Sequence, residues 1–301
     1  MIFSPYVKRL LNELFREFYY FCRDQISCRT EMEKKKVLFI FQEITPYLPE
    51  SDLSKIGRYL PQGIQERGNE IRTFMPRYGC VNERRNQLHE VIRLSGMNLV
   101  INDTDHPLII KVASIQAARM QVYFIDNEDY FHRKSVLTHK TGQPFDDNDE
   151  RAMFFARGVL ETVIKLRWAP DLIHCHGWIS SLVPLLIKKS YNQNPLFTGS
   201  KVVYSTYFNS IDQSFEGDLI QKVRSDDITE KDVDELKNAD YNSFEKLAFR
   251  YSDGIIRGSQ SLGKVIDEGL KSIGKPVLPF QSEENYIDAC NDFYKQILAI
   301  P

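Results

Sequence analysis

Two histidines and a tryptophan stand close together in DLIHCHGW, at His174, His176 and Trp178. Residues two apart at a strand end project to one side of a sheet, so the two imidazoles share a face. Imidazole can ligate a metal, but no third ligand with zinc-site spacing lies nearby, so no metal is assigned. Two readings stay open: hydrogen bonding inside the core, or contact of His176 and Trp178 with a sugar ring. Glu43 follows the apolar run VLFIF, where it either caps the adjoining loop or touches a ligand. Arg77 and Tyr78 sit in the turn-like PRYG, where the guanidinium binds an anion or makes a salt bridge within the fold. Asn127, with Tyr130 and Phe131, either borders a groove or packs at the surface. No Ser–His–Asp or Cys–His arrangement is defensible, so no catalytic residue is named.

These groups need a scaffold that holds strand ends together. The run 37–41 reads as a parallel strand buried on both faces. Pro46 and Pro49 keep the next segment out of a helix, and Ser51 or Asp52 then caps a helix carrying Leu53, Ile56, Leu60 and Ile64. Pro61 is expected to kink or divide that helix. EIRTFMP (70–76) is a second strand, which completes a β–loop–helix–β unit. Between 87 and 125 the stretches LHEVIRL, PLIIKVASI and MQVYFI alternate as antiparallel edge strands, and 126–150 reads as a long surface loop. A helix opened by Asp149 and Glu150, the strand 171–175, a helix from Ile179 and the strand 201–207 continue the winding. The acidic segment 208–240 reads as a loop or solvated short helices. A helix over 241–250, a last parallel strand at 252–258, a helix over 259–270, a stiff connector at 274–279 and a terminal helix over 284–298 close the chain.

The pattern predicts an α/β fold, a Rossmann-like, mostly parallel sheet flanked by helices. Ligands in such sheets collect beyond the strands' carboxyl ends, near a reversal of strand order. The 39 basic and 41 acidic residues of the 301 leave a net charge of -2, too little for a field that captures nucleic acid. The five cysteines are widely spaced and odd in number, which fits a reduced, cytoplasmic setting. In residues 1–33, Leu10, Leu11, Leu14, Phe15, Phe18 and Phe21 recur at helical spacing between charges. That stretch reads as an added N-terminal helix, with no transmembrane segment and no signal peptide.

In order along the chain, KKVLFIFQEITPY, LPQGIQERGNEIRTFMPRYG, VYFIDNEDYF, DNDERAMFFARGVLE, PDLIHCHGWISSLVPLLIK and YSDGIIRGS resemble the N-terminal half of bacterial glycogen and starch synthases, over about residues 34–270. Those are family 5 glycosyltransferases, in which this half is one of the two lobes of a GT-B fold. The resemblance implies transfer of glucose from ADP-glucose to an α-1,4-glucan, with this lobe holding the glucan and a second lobe holding most of the donor. It divides the chain into an extension at 1–33, a synthase-like domain at 34–280 and a crossover-like helix at 281–301 packing on it. The chain stops where the second lobe should start, so it is expected to be inactive alone, completed by a separate donor-binding subunit or by self-association. The alternative is a degenerate glucan-binding or scaffolding protein of glycogen metabolism.

Three motifs depart from the family. K-T-G-G-L reads Pro49 to Leu53, with the cation and both glycines lost and Glu50 and Asp52 in their place. A diphosphate needs cations and open N–H groups, so ADP-glucose is disfavoured there. H-A-H-D-W reads His174 to Trp178, its aspartate replaced by Gly177, and the histidine of T-I-H-N is missing from Ser205 to Asn209. Neither a cofactor nor a metal is implied.

Overall fold

The computed structural model describes residues 34–209, 214–215, 219–225 and 227–300. The expected N-terminal helix of residues 1–33 lies outside them. Strands β1 (Lys36–Phe41), β2 (Glu70–Pro76), β6 (Met120–Asp126), β7 (Leu172–His176), β8 (Lys201–Thr206), β9 (Gly254–Arg257) and β10 (Val277–Leu278) form a parallel sheet. Its order is β10-β9-β8-β7-β1-β2-β6, extended by antiparallel β5 (Thr104–Ile115) and β3 (His89–Glu90), with β4 (Met97–Ile101) paired to β5. β1 and β7 are buried almost throughout because helices cover both sheet faces, which is why apolar residues fill β1 after Lys36 and why His174 and His176 of β7 are buried polar exceptions. From β1 the chain moves outward to β2, and from β7 it moves the other way to β8. The reversal of strand order therefore falls between β1 and β7.

Helix α1 (Asp52–Glu66) begins with a capping box in which the Ser51 and Ser54 hydroxyls each accept the other's backbone N–H. It runs through Pro61 without being divided; the ring is buried, and apolar burial offsets one missing N–H bond. Around the antiparallel edge, α2 (Glu83–Asn86) is a single turn. Of LHEVIRL only His89–Glu90 is strand, while β4, which the alternation did not single out, pairs with β5 across Asn102 and Asp103, both at positive φ.

Segment 126–150 is anchored rather than a surface loop. The turn α3 (Glu128–Phe131) buries Tyr130 and Phe131, Leu137 and Phe145 are also buried, and Arg133 pairs with both oxygens of Asp147. α4 (Asn148–Leu166) and α5 (Val183–Lys188) follow in the expected places. The described part of the acidic stretch 208–240 is likewise packed: α6 (Leu219–Val223) buries Leu219 and Val223, a 3-10 stretch at Glu230–Asn238 buries Val233 and Leu236, and Ile228 between them is buried too. Asp227, Glu230 and Asp234 stay exposed, while Asp232 is partly buried and pairs with Lys189 at 2.6 Å. α7 (Tyr241–Tyr251) and α8 (Lys264–Lys271) flank β9. The connector contributes β10, so β9 is not the last parallel strand.

The closing helix α9 (Tyr286–Leu298) buries Phe293, Tyr294 and Ile297. Two glycines admit it: a Cβ on Gly63 would lie 2.6 Å from Ile287, and one on Gly254 2.6 Å from Ile297. Among the described residues no helix is long and apolar enough to cross a membrane.

Candidate functional site

The carboxyl ends of β1, β7 and β8 open into a cavity of about 330 Å³ at the reversal of strand order. Gln42 and Glu43 leave β1, Gly177 and Trp178 leave β7, and Tyr207 and Phe208 leave β8 to line it. Ser51 to Leu53 at the start of α1, Glu245 of α7, Leu137, Asn209 and Ser259 complete the wall. No lysine or arginine is among its described lining residues, whereas Glu43, Asp52 and Glu245 are.

Two of these acids, Glu43 and Glu245, have a structural reason for their place. Glu43 accepts hydrogen bonds from Ser51 Oγ (2.8 Å) and Gln42 Nε2 (3.2 Å), tying β1 to the head of α1. The first turn of α1 therefore faces a carboxylate, and its capping box uses the Ser51 and Ser54 N–H groups. Glu245 lies on the buried stripe of α7, one oxygen accepting from Tyr204 Oη at 2.8 Å and the other without a partner. Burial pushes its carboxyl up to about 7, against hydrogen bonding by Thr206 and Tyr204. Gln42 Oε1 and Trp178 Nε1 are also buried and unpartnered. The cavity thus offers an amide oxygen, an indole N–H and a carboxyl oxygen around an aromatic wall, a set suited to hydroxyl groups on a ring with an apolar face.

Gly177 holds φ +79°, a backbone region side chains rarely enter, and a Cβ there would meet Gln42 Cβ at 3.0 Å. A carboxylate at this position would need the turn rebuilt.

Trp178 is buried, stacked on Phe215 at 5.7 Å and against Tyr241 at 4.3 Å between ring centroids. His174 and His176 share one face as expected, their centroids 3.7 Å apart, with His176 stacked on Phe41. Desolvation in the core lowers the His174 pKa to about 3 and pushes that of His176 well down, so both rings are neutral. His176 opens onto a neighbouring cavity of about 410 Å³ beside α1 and α9, which shares Asp52 and Tyr207 with the first.

The other three sequence candidates do not reach either cavity. Arg77 is engaged within the fold, its guanidinium on Glu83 and 3.7 Å from Asp126, with Lys111 joining both acids. Tyr78 is fully buried beneath Arg151 and edge-on to Phe131. Asn127 is fully buried too: its Oδ1 accepts from the backbone of Asp129 and Tyr130, and its Nδ2 donates to Pro107 O. A side chain that caps a turn has no spare group for a ligand. Gln42, Tyr207 and Glu245 were not singled out from the sequence. Glu245 had left a trace, as a carboxylate inside the apolar period of Tyr241, Phe244, Leu247 and Ala248.

The sequence profile of the starch synthase catalytic domain matches residues 36–270. A glycogen synthase from Chlorobium luteolum is 39% identical over 173 residues, covering 57% of this chain and 35% of the relative. A glycogen synthase from Chlorobaculum parvum is 32% identical over 232 residues, covering 77% of this chain and 47% of the relative. The chain therefore spans less than half the length of these relatives. Among solved structures, the catalytic domain of starch synthase IV from Arabidopsis thaliana bound to ADP and acarbose superposes with a TM-score of 0.67. That likeness covers 83% of this chain and 52% of that one at 16% identity, and it carries the fold.

Proposed function

Because the chain belongs to the starch synthase catalytic domain family, we propose that it is the glucan-holding half of a glycogen synthase-like glycosyltransferase and does not bind ADP-glucose by itself. The observation that carries this reading is the charge of the first cavity. Three acids and no described cation line the strand reversal, and the head of α1 is closed by Glu43 and a capping box. A nucleoside diphosphate brought there would meet the carboxylates of Glu43 and Asp52 and no described cation. An uncharged glucosyl unit would not, and Trp178, Gln42 and Glu245 offer it an aromatic face, an indole donor, an amide acceptor and a carboxyl group. The starch synthase IV structure contains ADP and acarbose, which makes both ligand classes the relevant comparison.

Titration calorimetry of the full chain tests this. Maltoheptaose is expected to bind saturably and ADP-glucose to give no saturable heat. Saturable ADP-glucose binding to this chain alone would refute the reading.

A second reading keeps the family reaction by adding a separate donor-binding chain or a second copy. It is favoured by exposed aromatics lining the two neighbouring cavities, Tyr59 at 51%, Phe208 at 60% and Phe280 at 46% exposure. It requires ADP-glucose turnover to appear on adding that partner, or with rising chain concentration.

A further inference from the structure

The cavity beside α1 and α9 has walls unlike those of the acid-lined one. Ile56 and Leu60 of α1, Ile256 of β9 and Ile287 of α9 make it apolar, and the exposed rings of Tyr59 and Phe280 stand at its edge. Its charged groups balance: Asp52 lies one turn from Lys55, and Arg257, already paired to Asp267 at 2.7 Å, is offset by Glu283. An ion of either sign finds no surplus of opposite charge. A buried polar atom in its wall has no partner: Nε2 of His176, whose Nδ1 is engaged by Tyr207 Oη at 2.9 Å. Leaving such an atom unpaired is costly. A hydroxyl group both donates and accepts, so it satisfies Nε2 whichever ring nitrogen carries the proton. Flat apolar rings, a balanced rim and one buried nitrogen suit a neutral ring that carries hydroxyl groups.

The two cavities meet at a shared boundary, since Asp52 and Tyr207 line both. Asp52 is exposed and Tyr207 only half-buried, so the boundary is a ridge that reaches solvent. It is also firm. A Cβ on Gly258, just past β9, would lie 2.3 Å from the Tyr207 ring, so the ring rests against that glycine while His176 holds its hydroxyl. The Asp52 carboxylate can accept hydrogen bonds from hydroxyl groups that cross the ridge.

We propose that this cavity is a further subsite for the glucan of the first one, so that a single linear α-1,4-glucan crosses the ridge of Asp52 and Tyr207 with units in both cavities. Such a subsite presupposes that the first cavity holds glucan, and it makes binding depend on chain length. A short oligosaccharide fills one cavity, whereas a longer one enters the second without a second loss of translational freedom. Tyr59 and Phe280 supply ring faces at the mouth, and His176 Nε2 the hydrogen bond inside.

Titration calorimetry of the full chain with maltotriose and maltoheptaose reads that dependence. Maltoheptaose is expected to bind about tenfold more tightly. In the double variant Tyr59→Ala, Phe280→Ala the ratio of the two affinities should fall to about one. A ratio taken within one protein is not moved by a general loosening of the fold. Nitrogen-15 NMR of the chain labelled at histidine needs no variant: saturating maltoheptaose should shift the His176 ring signals. Equal affinities in the parent, a ratio that survives in the variant, or an unmoved His176 signal would overturn the subsite and leave the first cavity's reading in place. Loss of self-association in the variant, with the ratio unchanged, would assign the two rings to a second copy of the chain and likewise overturn it. Absence of saturable binding by either sugar would refute the first cavity's reading, and the subsite with it.

Discussion

Glu245 shows how one carboxyl can report on a cavity. Its pKa in the fold, about 7, lies above its ordinary value of 4.5 because burial penalises the charge. The folded chain therefore holds this proton over a range where the unfolded chain has lost it. No penalty exists below about pH 4.5; it grows as pH rises towards 7 and stays constant above, at about 3 kcal/mol. Glu245→Gln removes that penalty while keeping an acceptor for Tyr204. Calorimetric melting should find the variant gaining about 5 °C more over the parent at pH 8 than at pH 5. An equal difference at the two pH values would mean that Glu245 is not held protonated. His176 and Trp178 were readable as a pair from their spacing, but their roles were not. Whether a ring nitrogen is satisfied depends on Tyr207 and Tyr294, which are remote from the histidines in sequence and adjacent only in space.

Close approach between elements explains what the PRYG turn requires. A Cβ on Gly79 would lie 2.0 Å from the carbonyl oxygen of His132 and 2.7 Å from that of Arg133. The obstacle is backbone, which no rotamer can clear, so the turn after β2 and the chain after α3 meet only through a glycine. Gly79→Ala should cost about 3 kcal/mol or more, measured by urea unfolding, and a loss below about 1 kcal/mol would show that the two segments do not abut. The glycine was visible in the motif. The opposing carbonyl was not, because it belongs to a segment that reads as surface loop: its few apolar residues have no period, and Phe131, Leu137 and Phe145 are buried one at a time.

Across the whole molecule, distant segments are joined by charge as well as by apolar contact. Lys222 of α6 reaches Asp149 at 2.9 Å and Glu150 at 3.0 Å at the head of α4, and the Asp149 side chain is 1% exposed. Burial raises the Asp149 pKa while Lys222 opposes that rise. Removing the cation leaves a buried carboxylate alone, so Lys222→Met should cost about 3 kcal/mol near pH 8, read as a drop in Tm. The cost should shrink as pH falls, because the carboxyl, its folded pKa raised further, takes up a proton. A loss that does not change with pH would mean that Lys222 acts only through its alkyl packing.

The sequence by itself determined the parallel core, the order of its main helices and strands, and the family. Continuous apolar runs, helical periods and glycines at tight turns are local signals, and local signals survive in one dimension. It also determined that the loop from Pro49 to Leu53 carries no cation. The tertiary structure alone decided that no cation folds in among the described residues of the first cavity, that Arg77, Tyr78 and Asn127 are consumed by the fold, and that the acidic stretch before α7 is packed. The physical reason is common to all three: charge balance, burial and hydrogen-bond satisfaction depend on neighbours in space, and most of those neighbours are tens of residues away along the chain.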